Sequence, residues 1–174
     1  MNILTELQDL KGYDLLHAGT LAMADIERNG MRLDVAYCHK QKQVLAQELE
    51  SILEQISETE TGKVWTDRFY PSANFGSGDQ LATVLFENRG FKARAYTPTG
   101  KLSSAAGAFE HVNDPAVALF QRYKKLEKVS STYLQNFLRE EVDGYVHTFF
   151  NLHIARTYRS SSSQPNFQNI PIRD

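Results

Sequence analysis

The residues best suited to binding chemistry lie close together, in the stretch from Thr157 to Pro171. This stretch follows neither a helical nor a strand period, and its amide and hydroxyl side chains surround one arginine, Arg159. Such side chains both donate and accept hydrogen bonds. The composition therefore indicates a segment built to bind a polar partner, although a serine-rich chain end is also typical of a flexible tail.

The other polar residues form no recognisable catalytic or metal-binding pattern. His147 and His153 lie beside neither a Glu-x-x-His motif nor a cysteine pair, which leaves metal binding with little support. No serine has the glycine-flanked surroundings of a hydrolase nucleophile. Gly76-Ser77-Gly78 lacks the further glycines and the lysine of a nucleotide-binding loop. The residues taken alone point to binding and away from catalysis.

The composition is that of a globular chain without a general affinity for nucleic acid. Its 174 residues suit one domain, or one domain with a piece of another, and 41% of them are hydrophobic. The net charge of −2 means that any contact with DNA must come from local basic patches and neutral donors. Cys38 is the only cysteine, which excludes an internal disulfide and fits a reducing cytoplasm. The first residues carry neither a signal-peptide nor a membrane-span pattern, so a cytoplasmic protein is expected.

The first third of the sequence predicts two helices joined by a tight turn. Apolar residues at helical spacing predict a helix from about Tyr13 to Asn29, and Asn29-Gly30 is a typical C-terminal cap. Met31 to Leu33 is expected to be extended, and Asp34 can cap a second helix from about Val35 to Thr59. The second helix has a narrow apolar stripe, typical of a helix that pairs with one partner, formed by Cys38, Leu45, Leu49, Ile52 and Ile56.

The middle of the sequence predicts loops and short helices. Glu60 to Ser72 has no period, so a loop is expected. Ser77 can cap a short helix with Gln80 as its capping-box partner; alternatively, this glycine-flanked helix start binds a phosphate. Thr97 to Lys101 is typical of a turn, and a further short helix is expected from Ser103-Ser104 to about Val112.

The last third predicts a long helix followed by strands. Asp114-Pro115 is a clear helix start, and the helix is expected to run to about Glu141. After a turn at Asp143-Gly144, aromatic and β-branched residues predict one or two strands of an antiparallel sheet, over Tyr145 to Phe150 and Leu152 to Ala155. One side of the long helix is either a solvated face or a binding surface, because it carries Arg122, Lys124, Lys125 and Lys128.

Several sequence blocks resemble, in the same order, the signatures of family A DNA polymerases, the class of bacterial and phage DNA polymerase I. Thr157 to Pro171 is similar to the T-G-R-L-S-S-x-x-P-N-x-Q-N-I-P signature that enters the palm. Ile26 to Asp34 resembles M-E-x-x-G-V-x-x-D, and Asn74 to Leu81 resembles N-x-x-S-x-x-Q-L. Thr97 to Ser104 resembles the thumb-tip loop K-T-x-x-T-G-K-x-S-T, and Lys128 to Tyr133 resembles K-L-K-S-T-Y.

The resemblance implies an α+β fold, mainly α, with two functional domains. Residues 1–142 would form a thumb of long antiparallel helices with a small helical tip at about 72–112, and residues 143–174 would begin the palm with a short antiparallel β element. Thumb and palm would hold a primer–template duplex from its minor-groove side, with Arg159 at the primer terminus. The implied DNA contacts are Asn74, Ser77, Gln80, Ser103, Ser104, Lys124, Lys128, Thr132, Arg159, Asn166, Gln168 and Asn169.

Four positions depart from the family pattern. Tyr158 and Ser160 replace the usual glycine and leucine on either side of Arg159, so the turn that presents this arginine is expected to differ. Gly78 and Ser130 stand where relatives often carry basic residues, so a weaker grip on phosphate is expected.

The resemblance also implies what other segments must supply. The catalytic aspartates and the nucleotide-binding fingers would follow Asp174, so no cofactor is expected on this chain and Mg²⁺ is implied only for the complete polymerase. The chain alone is expected to be inactive. Its expected partners are duplex DNA and the remaining palm and fingers, in cis or as a second chain, in a bacterial cytoplasm or a phage-infected cell and without a membrane. The alternative is a non-enzymatic helical module that docks a protein on the stripe of residues 35–59.

Overall fold

The computed structural model describes residues 3–154, 157 and 159–170, with the backbone alone described at 3–10 and 106. Two compact units make up the chain. The terminal unit combines Met1–His39 with Tyr133–Asp174, and the central unit is Lys40–Thr132. The predicted α+β class, mainly α, is confirmed, while the boundary between thumb and palm at residues 142 and 143 stays a prediction.

The terminal unit begins with helix α1 (Ile3–Asn29), strand β1 (Met31–Arg32) and the start of helix α2 (Val35–Glu58). As predicted, α1 ends at Asn29 and is followed by Gly30, whose φ of 65° is a left-handed conformation that glycine adopts without steric cost. Asp34 begins α2, because its Oδ1 accepts the Tyr37 N–H at 2.9 Å. α1 starts earlier than predicted, since residues 4–11 are mostly good helix formers whatever their apolar spacing.

Two small antiparallel sheets complete the terminal unit. β2 (Glu141–Val142) and β3 (Tyr145–Val146) form a hairpin across the predicted Asp143-Gly144 turn, and β1 pairs with the other edge of β3. β4 (Phe149–Asn151) pairs with β5 (Ser161–Ser163), with Phe150 opposite Ser162. The second sheet therefore joins the serine run of the predicted binding stretch to β4.

The strand predictions in this unit are partly wrong. The strand expected from Tyr145 to Phe150 is interrupted at His147 and Thr148. The strand expected at Leu152–Ala155 is absent at Leu152 to Ile154, which form a bend, and Ala155 lies outside the described residues. The chain bends here because it must reverse direction to bring β5 back beside β4.

In the central unit, Glu60–Phe69 form helix α3 where the sequence predicted a loop. Thr59 caps this helix by accepting the Gly62 N–H on Oγ1 at 2.8 Å. Trp65 is fully buried on the inner face of α3, and its indole N–H donates to Gln80 Oε1 at 2.8 Å. The loop prediction failed because Gly62 looks like a helix breaker, whereas here it allows α3 to start directly against the end of α2.

The next element is a short helix capped by serine. Helix α4 (Gly78–Thr83) continues into a π-helical turn at Val84–Asn88. Ser77 caps α4 as predicted, since its Oγ accepts the Gln80 N–H at 3.3 Å. The predicted capping box is wrong, because the Gln80 side chain bonds to three groups outside α4 and not to the backbone of Ser77.

The loop that follows α4 contains one confirmed and one wrong prediction. The turn at Thr97–Lys101 is confirmed by a 2.8 Å bond from the Thr97 N–H to the Lys101 carbonyl. The helix expected from Ser103 to Val112 is reduced to one 3₁₀ turn at Ala106–Ala108. Phe109 and Val112 are buried, and reaching the core takes the chain out of helical geometry before a second turn forms.

The long helix predicted from Asp114-Pro115 consists of three segments, α5 (Pro115–Lys128), a π-helical segment (Val129–Leu134) and α6 (Gln135–Arg139). Asp114 caps α5 by accepting the Ala116 N–H on Oδ1 at 2.8 Å. The sequence did not predict the π-helical segment. It coincides with Ser131, whose Oγ donates to the Glu127 carbonyl at 2.7 Å and so competes with the regular backbone ladder.

The core of the central unit lies between α2, α3, α4 and α5, and its buried residues include Ile52, Ile56, Trp65, Val117 and Phe120. Here α2 and α5 run antiparallel. Arg122 of α5 pairs with Glu48 of α2. Thr61, in the first turn of α3 and so close to the end of α2, bonds to Asp114 at the start of α5. The apolar stripe predicted on α2 is therefore used inside the chain.

Replacing Asp114 with alanine is expected to destabilise the central unit by roughly 3 kcal/mol, through loss of the α5 cap and of a buried hydrogen bond. Its Oδ2 accepts the buried Thr61 hydroxyl at 2.7 Å, which the variant leaves without an acceptor. Denaturant unfolding followed by the fluorescence of Trp65, the only tryptophan, measures the change. Asp67→Ala, exposed on α3, is the control; equal losses in both variants would contradict the expectation.

Candidate nucleic-acid interface

The residues predicted to contact DNA fall into two groups, one in each compact unit. The tip group, in the central unit, comprises Asn74, Ser77, Gln80, Ser103, Ser104, Lys124, Lys128 and Thr132. The tail group, in the terminal unit, comprises Arg159, Asn166, Gln168 and Asn169. Most of the tip group lies around the start of α4, and most of the tail group lies around a 3₁₀ turn at Phe167–Asn169.

A hydrogen-bonded turn from Asn74 to Ser77 forms the centre of the tip group. Asn74 Oδ1 accepts the Gly76 N–H at 2.9 Å, and the Asn74 carbonyl accepts the Ser77 N–H at 2.9 Å. Ser77 in turn accepts the Gln80 N–H. The N–H groups of Gly76 and Gln80 are thus already bonded, which leaves less of this corner available to a phosphate than the sequence suggested.

The Gln80 side chain makes three hydrogen bonds inside the central unit. Its Oε1 accepts the Trp65 indole N–H and the Asn74 backbone N–H, each at 2.8 Å. Its Nε2 donates to the Ser72 carbonyl at 3.1 Å. Gln80 therefore ties the buried tryptophan to the Asn74 turn. These bonds favour a positioning role, and its contact with a phosphate stays a prediction.

Ser104 and Lys124 meet the Asn74 turn beside Gly78. A Cβ atom at Gly78 would lie 3.0 Å from Ser104 Cβ and 3.3 Å from the Ser104 carbonyl oxygen, so a basic side chain at this position would require the backbone to shift. Lys124 Nζ donates to the Gly76 carbonyl at 3.4 Å. Gly78, Ser104, Lys124 and Lys125 line a cavity of about 540 Å³. Lys125 is a site residue that sequence reasoning did not single out, although it belongs to the predicted basic run.

Carboxylates neutralise part of the basic run on α5. Arg122 pairs with Glu48 and Lys124 pairs with Glu127, whereas Lys125 and Lys128 are exposed and pair with no carboxylate among the described residues. Glu127 also accepts a hydrogen bond from Tyr123. Burial raises the pKa of the Tyr123 phenol, and the charge of Glu127 raises it further, so this side chain stays neutral beside the lysines.

Ser103 and Thr132 lie at the margins of the tip group. Ser103 is half-buried, and its Oγ accepts the Ala105 N–H at 3.4 Å. Thr132 is exposed in the π-helical segment, about one turn beyond Lys128. Their contacts with DNA stay predictions.

The tail group rests on a turn that a buried threonine holds. Thr148 Oγ1 lies 3.0 Å from the Ser163 carbonyl oxygen and 2.6 Å from the Pro165 carbonyl oxygen. Only 3% of Thr148 is exposed. These contacts fix the turn in which Gln164 adopts a positive φ of 57°, a conformation uncommon for residues with a side chain.

The buried hydroxyl of Ser162 also holds the tail group. Together with Thr148 it forms what we call the frame. Its Oγ donates to Asn166 Oδ1 at 3.1 Å and accepts the N–H groups of Phe167 at 3.0 Å and Gln168 at 3.4 Å. Sequence reasoning missed Ser162 and Thr148 as site residues, because a serine run gives no indication of which hydroxyl turns inward. The strand alternation of β5 was the available indication.

Two aromatic residues at the C-terminal end of the long helix anchor the 3₁₀ turn. The Tyr133 hydroxyl donates to the Asn169 carbonyl at 2.6 Å. The rings of Phe137 and Phe167 pack with centroids 5.9 Å apart. The stretch expected to be either a binding segment or a flexible tail is therefore an ordered, hydrogen-bonded structure over its described residues.

The four tail-group side chains remain exposed on this frame. Gln168 Nε2 donates to the Ser160 carbonyl oxygen at 2.9 Å and to Ser160 Oγ at 3.0 Å. Because Ser160 directly follows Arg159, this pair of bonds holds the backbone beside the arginine. Arg159 itself pairs with no carboxylate among the residues that the structure describes.

The described residues do not fit a magnesium site of the two-metal kind. Nowhere in that part of the chain do three or more His, Cys, Asp or Glu side chains come close enough to hold a metal ion together. The same residues include no helix that combines the length and the apolar character needed to cross a membrane.

The family model described as DNA polymerase family A matches residues 35–174. The chain belongs to DNA polymerase family A. It is 39% identical over 156 residues to "DNA polymerase I, thermostable" of Thermus filiformis, covering 87% of this chain and 18% of the relative. It is 32% identical over 157 residues to DNA polymerase I of Bacillus subtilis (strain 168), covering 88% of this chain and 17% of the relative. The chain thus spans less than a fifth of the length of these relatives.

A solved family A structure has the same fold. It is the POL domain of Pol1 from M. smegmatis in complex with DNA primer-template and dNTP, which superposes with a TM-score of 0.73 at 27% identity. The match covers 87% of this chain and 26% of that chain. The resemblance read from the sequence blocks is therefore confirmed at the level of the family and of the fold.

Proposed function

We propose that this chain forms the DNA-binding thumb and the first palm strands of a DNA-directed DNA polymerase and holds a primer–template duplex. One observation carries the proposal: a frame of buried hydroxyls fixes the tail group while leaving its polar side chains exposed. Fixing such side chains in advance lowers the entropy cost of binding a polar partner. Membership of family A, and a structural relative solved with primer-template DNA, support duplex DNA as that partner.

The contacts would divide between phosphates and the minor groove. The tip group, with Lys125, would offer lysines and hydroxyl groups to phosphates, which position a duplex without reading its sequence. The tail group would offer Arg159 and neutral amides to minor-groove edges, where A·T and T·A base pairs present equivalent acceptors. Such contacts suit an enzyme that must bind any sequence, and they agree with a chain whose net charge is only −2.

The complete enzyme would add nucleotides to a DNA primer under the direction of a template, as a nucleotidyltransferase. The remaining palm and fingers, in cis or as a second chain, would supply the carboxylates for Mg²⁺, since the described residues do not fit that ion. The part proposed for this chain is therefore to hold the duplex. We further propose the bacterial cytoplasm, or a phage-infected cell, as its location, which the bacterial relatives support.

A helical protein-interaction module would need the apolar stripe of α2 to be free. Cys38, Ile52 and Ile56 are instead buried within their own units. No observation favours this second function, and it is not retained.

Fluorescence anisotropy of a labelled primer–template duplex, titrated with the chain at several salt concentrations, tests the proposal. The matched control is the template as a single strand. We expect preference for the duplex, and affinity that falls log-linearly with salt with a slope of about 2 to 3, because few cations face the DNA. Equal affinity for both forms, or no duplex binding at low salt, would contradict a duplex-holding role.

The double variant Lys125→Ala, Lys128→Ala is expected to lower this salt slope by about 2, because these lysines have no carboxylate partner in the described part of the chain and each would neutralise one phosphate. Lys63→Ala, exposed on α3 in the same unit, is the control and should leave the slope unchanged. An unchanged slope in the double variant would remove the phosphate role of α5.

A further inference from the structure

The frame fixes the orientation of the Asn166 carboxamide. Asn166 Oδ1 accepts the Gln168 backbone N–H at 3.0 Å and the Ser162 hydroxyl at 3.1 Å. A backbone N–H can only donate, so the atom facing it must be the amide oxygen. Asn166 is exposed, so its Nδ2 group, with two N–H donors, is left for a partner.

The frame fixes the Gln168 carboxamide in the opposite sense. Its Nε2 points at the Ser160 carbonyl oxygen and at Ser160 Oγ. A backbone carbonyl can only accept, so the atom facing it must be the amide nitrogen. The Nε2 group of Gln168 is then engaged inside the frame, and the Oε1 acceptor is left for a partner.

Serines of one run set both orientations. Ser162 is 4% exposed, and its hydroxyl holds the oxygen of Asn166 inward. Ser160 supplies both acceptors to Gln168, one of them from a side chain that stands where the family pattern has leucine. A leucine side chain has no acceptor, so the second bond depends on the serine found in this chain.

We propose that Asn166 is a tail-group amide that donates to the minor groove of the duplex, and that Gln168 is a positioning residue that acts on Arg159 through Ser160. This inference rests on the proposed function. It changes one expectation, because Gln168 is no longer expected to contact DNA. The minor groove offers acceptors along the duplex but a donor only at the guanine N2 amine. The donors of Asn166 therefore suit any sequence, whereas the acceptor of Gln168 does not.

A base-analogue scan with the whole chain tests the assignment of Asn166. Each purine of the primer–template duplex is replaced in turn by its 3-deaza analogue, which lacks the N3 acceptor. Two duplexes with purines and pyrimidines exchanged are used, so that every position carries a purine in one of them. We expect a position where the analogue weakens binding about 10-fold in the unsubstituted chain, has no effect in Asn166→Ala and keeps its effect in Gln168→Ala. Loss of that sensitivity in Gln168→Ala alone, or no such position, would overturn the assignment.

A double-variant cycle tests the positioning role of Gln168. We expect Gln168→Ala and Ser160→Ala each to weaken duplex binding about 3-fold in the unsubstituted chain and to have no further effect once Arg159→Ala is present. A purely structural role would give the same loss in both backgrounds and would overturn the inference. Complete absence of duplex binding by the unsubstituted chain would overturn the proposed function itself, which distinguishes the two failures.

Discussion

Gly62→Ala is expected to destabilise the central unit by about 4 kcal/mol, the largest stability loss expected from a single substitution here. A Cβ atom at position 62 would lie 1.8 Å from the Ile56 carbonyl oxygen and 2.7 Å from its carbonyl carbon. Both are backbone atoms at the end of α2, and the same oxygen accepts the Thr59 hydroxyl at 2.7 Å. No side-chain rotation relieves this clash, so α3 would have to move away from α2.

Denaturant unfolding followed by Trp65 fluorescence measures the loss, because that residue is fully buried on α3. Gly107→Ala is the control in the same unit, since a Cβ there would meet only Glu110 Oε1, at the ordinary distance of 3.8 Å. We expect the control to change stability by less than about 0.5 kcal/mol. A Gly62→Ala variant as stable as the control would contradict the close approach of α2 and α3.

Arg159→Ala is expected to have the largest functional effect. In a polymerase that contains this chain, we expect primer extension to slow about 100-fold, while duplex affinity falls only about 5-fold, since Arg159 would be one of several contacts that hold the duplex. The rate would fall further than the affinity because an arginine at the primer terminus aligns the reacting end as well as binding it. Single-turnover primer extension and duplex anisotropy measure the two quantities separately.

Two further variants sharpen this test. Arg159→Lys keeps the charge but loses the planar fork of donors, so its extension rate should lie between those of the wild type and Arg159→Ala. Arg28→Ala, exposed on α1 beside Asp25, removes an arginine of the same unit and should leave extension unchanged. An unchanged extension rate in Arg159→Ala would remove the role proposed for this residue.

The features predicted correctly from sequence depend on neighbours within a few residues. Asp114-Pro115 begins a helix because one carboxylate and one ring fix the local backbone. Asn29-Gly30 ends a helix because glycine tolerates a positive φ. The turn at Thr97–Lys101 closes through its own backbone. Helix ends and turns that neighbouring residues fix in this way can be predicted from a single sequence.

The features missed from sequence depend on residues far along the chain. Gly62 interrupts no helix, because its missing side chain makes room for the carbonyl of Ile56. Gln80 does not complete a capping box, because the Trp65 indole N–H competes for its oxygen. These contacts exist only once α2, α3 and α4 have packed, so neither periodicity nor capping patterns could predict them.

The sequence pattern nominates the residues of the candidate site, whose contacts with DNA stay predictions, but it does not predict the hydrogen bonds among them. The family signature gave all four members of the tail group. It could not reveal that Ser162 is buried and holds Asn166, or that Ser160 supplies two acceptors to the Gln168 amide nitrogen. Those assignments depend on the pairing of β5 with β4, which turns one serine of the run inward.

The most direct test of a duplex-holding role is to map the duplex on the chain by NMR. Backbone and side-chain amide spectra of the ¹⁵N-labelled chain would be recorded during titration with a primer–template duplex. We predict that the changes concentrate in two segments, the tail from Arg159 to Asn169 and the tip formed by the Asn74 turn and Lys124–Lys128, with the Asn166 side-chain amide among the largest. Saturable binding whose changes fall instead on α1 or the outer face of α3 would contradict the account.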